Sequence, residues 1–218
     1  MALNVDKIRS GLERLRHAQP SVFGAACHRF RFNPPLRESE VEAFEQPHRI
    51  RLPEDYRRFL IELGNGGVGP FYGIFQMGTM CDLKYNVGDW AEEVGILTNP
   101  FPYKTGYIEA RESDAKELYV LGPEDFRKKY GSNTFPQDLF ECDWHNAPVD
   151  GSIPICHAGC GYYHWLVLTG QHTGHIWCDN RAAGLAFEPI LNQDGTFASF
   201  SDWYEEWLDR TLQEENLA

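Results

Sequence analysis

Seven side chains able to hold a soft or borderline metal fall within 23 positions of one another: Cys156, His157, Cys160, His164, His172, His175 and Cys178. Zinc is the ion that such thiolates and imidazoles hold, as a structural clamp or, with one position open, as the activator of a hydrolytic water. Cys156, Cys160, His172, His175 and Cys178 are the five a zinc-dependent hydrolase would draw on. Their spacing, C-x3-C and then H-x2-H-x2-C, matches no standard zinc pattern. A zinc deaminase needs H-x-E and then P-C-x-x-C, and here one residue too many separates Cys156 from Cys160. If residues 162–169 form a strand, alternate side chains leave on opposite faces, so His164 and its neighbours do not converge unaided. The plainer reading is buried thiols and surface hairpin histidines, with no cofactor.

Gly64-Asn65-Gly66-Gly67-Val68-Gly69 formally fits G-x-G-x-x-G. A dinucleotide-binding turn follows a strand and opens a helix, so that the helix N-terminus meets the pyrophosphate. Here the order is reversed, with helix periodicity ending at Gly64 and a β-like run starting near Phe71. The glycines are expected to supply positive φ and close backbone approach. The surroundings of Cys27, Cys81 and Cys142 show no cysteine-protease signature, G-x-S-x-G is absent, and no carboxylate pair stands apart from the acidic background. The residues therefore point away from an enzyme.

The elements that must position these groups are read from periodicity. Val5, Ile8, Leu12 and Leu15 place a first helix over about residues 2–18. Ser39 and Glu42 have the spacing of a capping box, opening a short helix that stops near Pro47. Pro53 suits a first helical position, Glu54 and Asp55 suit its dipole, and Tyr56, Phe59, Leu60 and Leu63 form a buried stripe closed by Gly64 as a left-handed stop. Strands are expected at 71–77, 118–121, 153–157, 162–169, 175–179 and about 185–191, and short helices at 89–94 and 123–130. Residues 162–169 are apolar on both alternating faces, so that strand belongs inside a covered sheet. A last helix begins after Ser199 or Ser201, with Trp203, Tyr204, Trp207, Leu208 and Leu212 on its apolar stripe. Helices at both ends around hairpin-linked strands predict an α+β fold: a mainly antiparallel twisted sheet flanked by N-terminal helices and a C-terminal helix.

At 218 residues one domain is expected, with an extra N-terminal helix and an elaborated middle over about 78–151. No apolar run is long enough to span a membrane, and residues 1–11 lack the apolar core of a signal peptide, so the expected compartment is the cytoplasm with its six cysteines reduced and mostly buried. Net charge is −12, unevenly spread. Residues 1–60 hold 11 Lys and Arg against 8 Asp and Glu, whereas residues 138–218 hold 13 acids and only Arg181 and Arg210. So acidic a C-terminal third has no means of displacing counterions from a phosphate backbone, which excludes direct nucleic-acid binding. It suits either solvation alone or steering onto a basic protein. The acids expected to be exposed near the hairpin and last helix, and so to touch a partner, are Asp179, Glu188, Asp194, Asp202, Glu205 and Glu206.

Leu52-Pro53-Glu54-Asp55-Tyr56-Arg57-Arg58-Phe59-Leu60, followed by Asn65-Gly66-Gly67-Val68-Gly69-Pro70 and Tyr72-Gly73, resembles the signature of the SUKH superfamily. That superfamily takes in the fungal Smi/Knr cell-wall regulators and many bacterial immunity proteins. Gly161, Gly170, Gly174, Trp177, Phe200 and Trp203 extend the likeness, which covers about 36–74 and 153–212. The resemblance implies a structural part for Leu52, Pro53, Tyr56, Phe59, Leu60, Asn65, Gly66, Gly67, Gly69, Pro70, Gly73 and Trp177. It also implies a binding role without catalysis: neutralising a cognate toxin, often a basic nuclease, by direct docking. A regulatory scaffold like the fungal relatives is the alternative, and a zinc-dependent hydrolase built on the Cys/His cluster a third.

Overall fold

The computed structural model describes residues 2–79, 94–103, 149–180, 182 and 187–217. The expected elements at 118–121 and 123–130 lie outside them, as does nearly all of that at 89–94.

The first helix, α1 (Val5–Ala18), opens on Asn4, whose side chain accepts the Lys7 amide, and buries Val5, Ile8, Leu12 and Leu15 as the periodicity requires. A single turn, α2 (Ala25–His28), follows. The next helix, α3 (Glu38–His48), is capped two residues before the expected box, at Arg37 and not Ser39: Glu40, not Glu42, reaches back, accepting the Arg37 amide at 2.9 Å. It runs through Pro47 by one residue. Helix α4 (Glu54–Arg58) begins just after Pro53 and widens into a π-turn, Phe59–Leu63. Gly64 does end it, but not as a left-handed cap, since its φ of 171° is ordinary extended backbone. Glycine is needed there for space: a Cβ would lie 2.4 Å from the Asn33 carbonyl oxygen.

The sheet is antiparallel throughout, in the order β1 (Ser152–Gly159), β2 (Tyr162–Val167), β3 (Ile176–Asp179), β4 (Phe187–Pro189). Cys160 and Gly161, both at positive φ, form the two-residue β1–β2 turn, the geometry that matches strand twist. As expected of a strand apolar on both sides, β2 is internal, and Trp165, Leu166 and Val167 are wholly buried. The expected strand at 71–77 is reduced to bridges, Ile74 pairing with Gly67 on one side and Cys156 on the other. The three-way junction leaves no room for a regular ladder. Gly66 and Gly67 sit at φ of +76° and +101°, where any Cβ would strike the carbonyls of Phe75 or Arg31. The glycine run is thus a structural elbow between helix and sheet, following a helix and opening none.

Helix α5 (Phe200–Glu214) closes the fold. Its inner stripe of Phe200, Tyr204, Leu208 and Leu212 packs on α1 and the π-turn. Phe59 lies at the centre, its ring 5.1 Å from Phe200 and 5.3 Å from Tyr204, and the Tyr204 hydroxyl donates to the Val68 carbonyl at 2.9 Å. Gly11 permits the α1–α5 approach, because a Cβ there would lie 3.0 Å from the Leu212 side chain. Asp55 joins α4 to α5 by accepting the Ser201 amide at 2.9 Å.

Candidate functional surface

The surface is built around the outward edge of α5. With Trp203, Tyr204 and Leu208 turned inward, Asp202, Glu205, Glu206 and Asp209 recur at helical spacing on one side. A tight turn, closed by the Asn192 amide donating to the Thr196 carbonyl at 2.8 Å, folds the chain back immediately before the Ser199 cap. That return brings Asp194 to the same edge. The start of α1 completes a cleft of about 670 Å³ lined by Asn4, Lys7, Asp194, Asp202, Glu205, Glu206, Asp209 and Arg210 among others.

The carboxylates differ in commitment. Asp202 accepts the Ser199 amide at 3.1 Å and hydroxyl at 2.7 Å; burial pushes its carboxyl up, but these hydrogen bonds prevail and hold it below the usual range. Glu205 accepts from the Asn4 amide at 2.8 Å and from Lys7 at 3.1 Å. Lys7 also reaches Asp209 at 2.7 Å, and although burial opposes it, the two carboxylates raise the ammonium pKa above its ordinary value. Glu206 pairs with Arg210 at 3.0 Å on an exposed face. Asp194 is exposed, and hydrogen bonds from Thr196 hold its carboxyl low. Five acids against two bases leave the cleft negative.

Of the six acids expected to meet a partner, Asp194, Asp202, Glu205 and Glu206 therefore share one cleft. Asp179 does not belong with them: it is only 3% exposed, at the end of β3 with Tyr163 and Phe187 as its strand neighbours. Its position on an inner strand buries it. Glu188, on β4, is half-buried and held by the Asn180 amide at 2.9 Å, outside the cleft.

Cys156, His164 and Cys178 are cross-strand neighbours on β1, β2 and β3, but the five residues singled out for zinc do not come together. Cys160 is exposed at the β1–β2 turn, whereas His172 and His175 lie at the far end of β2, in the loop to β3. Cys156 is buried with its Sγ donating to the Pro70 carbonyl at 3.2 Å, and Cys178 is half-buried on β3. Burial pushes the Cys178 thiol up to about 12 and that of Cys156 higher still, so both are inert thiols at neutral pH. No three His, Cys, Asp or Glu among the described residues come together as a metal-holding group. Cys27 is half-buried, so of the four described thiols only Cys156 is fully buried.

A second depression, about 480 Å³, adjoins the cleft and shares Glu206 and Arg210 with it. Its walls are aromatic: Phe23, Phe71, Trp203 and Trp207, with His164 at the floor. Phe23 is 63% exposed and leans on Phe71 and Tyr72. Helical periodicity assigns Trp203 and Trp207 to the core stripe, which hides their part in this groove. The signal that could have found it is that Trp203 and Trp207, one turn apart, border Glu206 and Arg210 at the edge of the stripe.

Compared with known proteins, residues 35–206 match the model of the SMI1 / KNR4 family (SUKH-1). No curated protein and no solved structure gives a significant match to the chain.

Proposed function

From a chain that belongs to the SMI1 / KNR4 family (SUKH-1), we propose a non-enzymatic binding protein: a cytoplasmic immunity protein that neutralises a basic toxin, of which a nuclease is the type that charge favours, through direct contact. The observation that carries this reading is the gathering of Asp194, Asp202, Glu205, Glu206 and Asp209 on one cleft beside an aromatic groove. Protein interfaces take this form, with aromatic and Arg contacts at the centre and charges at the rim setting orientation and encounter rate. A nuclease must be basic where it holds phosphate, so it presents the complementary field. The cleft draws on α1, the 192–196 turn and α5 together. No helix among the described residues is long and apolar enough to cross a membrane.

The test is co-expression. The toxin domain encoded beside this gene should arrest growth alone and cease to do so when this chain is present, with a complex of nanomolar Kd. A neighbour that binds with no protection, or an absence of protection across a panel of such toxins, would overturn the reading. The family match equally admits a regulatory scaffold, which would instead show several partners of modest affinity and no toxic neighbour.

A further inference from the structure

The aromatic groove carries an inference beyond the acidic cleft. At its floor lies His164, only 6% exposed, with a ring nitrogen, Nδ1, that has no hydrogen-bond partner. Its ring packs 5.1 Å from Phe71 and 5.4 Å from Trp203, and its cross-strand neighbours are Cys156 and Cys178. A buried nitrogen left unpaired is unfavourable unless something fills its need. Burial keeps the imidazole neutral, lowering its pKa to about 4. One nitrogen of the ring then donates and the other accepts.

The rim supplies charge. Glu206 and Glu214 border the groove, and the last turn of α5 contains no base to offset its negative dipole end. Arg210 answers Glu206, while Glu214 has no ion-pair partner among the described residues. Indole and phenyl faces, an uncharged imidazole floor and a carboxylate rim together describe one guest chemistry. A planar cation stacks on aromatic faces, pairs with carboxylates and offers several N–H donors in a fixed fork.

We infer that this groove is the anchor site for a single protruding arginine of the partner protein, its guanidinium held between Trp203, Trp207 and the Glu206–Glu214 rim above the His164 floor. The inference rests on the protein-binding reading and deepens it by naming the central contact. The acidic cleft beside the groove then steers and orients, and the arginine supplies the hold, as buried anchors do in interfaces generally.

The test uses the full chain, 15N-labelled, and N-acetyl-arginine methylamide as probe, with the citrulline and norleucine analogues as neutral comparators. The arginine probe should saturate shifts in the Trp203 and Trp207 indole N–H resonances, with citrulline about tenfold weaker. The surface variant Glu206→Gln/Glu214→Gln should lower arginine affinity about fivefold with an unchanged spectrum elsewhere, and Trp207→Leu should abolish binding. Equal binding of citrulline, tighter binding of norleucine, or no indole shift at the solubility limit of the arginine probe would overturn the inference. No toxin is present in this titration, so its failure leaves the co-expression result untouched, and the converse also holds.

Discussion

Arg57 and Glu45 form an enclosed ion pair, with side chains 8% and 10% exposed and Nε to Oε1 at 3.1 Å. Arg57 also pairs with Glu38, and Glu45 accepts the Leu52 amide at 2.8 Å, so one carboxylate ties α3 to the start of α4. Removing a single member of such a pair leaves a buried charge uncompensated, so Glu45→Ala should lower stability by about 3 kcal/mol, read from urea unfolding. A change below about 1 kcal/mol would mean that Glu38 and water suffice for Arg57. Two buried histidines set a pH dependence. His28, whose Nδ1 accepts the Phe30 amide at 3.1 Å, has its pKa lowered by burial to about 4, as has His164. Unfolded, each ring binds its proton near pH 6.5, so between about 4 and 6.5 the unfolded chain holds more protons. Stability is then fully present above about pH 6.5 and drains as pH falls towards 4. Each ring should remove about 2 kcal/mol by pH 5 relative to pH 7. Urea unfolding at the two pH values measures this, and His164→Phe should flatten the slope by one ring's share; equal stability at both would contradict it.

At the scale of elements, glycine positions separate two kinds of constraint. Gly64 has an unremarkable extended φ, but a Cβ would sit 2.4 Å from the Asn33 oxygen, so Gly64→Ala should destabilise by about 3 kcal/mol or more. Gly195 has φ +82° and nothing within 4 Å, so Gly195→Ala should cost only about 1 kcal/mol of backbone strain. Thermal midpoints of the two variants check the order; equal losses would refute it. Gly64 also shows the limits of sequence reading. Its role as a helix stop follows from the Tyr56–Leu63 stripe, but the reason it must be glycine is the Asn33 backbone, 31 positions away. Helices α1 and α5 and the internal placement of β2 follow from periodicity, because each buries one defined set of side chains. The capping shift from Glu42 to Glu40 turns on two residues of register, and the loss of the 71–77 strand on a junction that periodicity does not contain. That Asp194, Asp202, Glu205 and Glu206 share one edge is legible, because α5 spaces three of them by its own period and Asp194 lies on the adjoining turn. Asp179 was not, since its burial depends on Tyr163 and Phe187 flanking it across the sheet.

For the whole molecule, the asymmetry of charge is the property that acts at a distance. Asp202 and Glu205 are bound into the cap of α5 and the start of α1, so they set the shape of the cleft. Asp194 and Glu206 are freer of the fold and can be reversed without breaking it. The most direct measurement is the association rate with the toxin domain encoded beside the gene, taken across ionic strength for the native chain and for Asp194→Lys/Glu206→Lys. The native rate should be fast and fall steeply with salt, and the reversal should slow it about tenfold or more with a shallower salt slope, leaving dissociation less affected. Unchanged association and salt dependence in the reversed chain would contradict docking through this face.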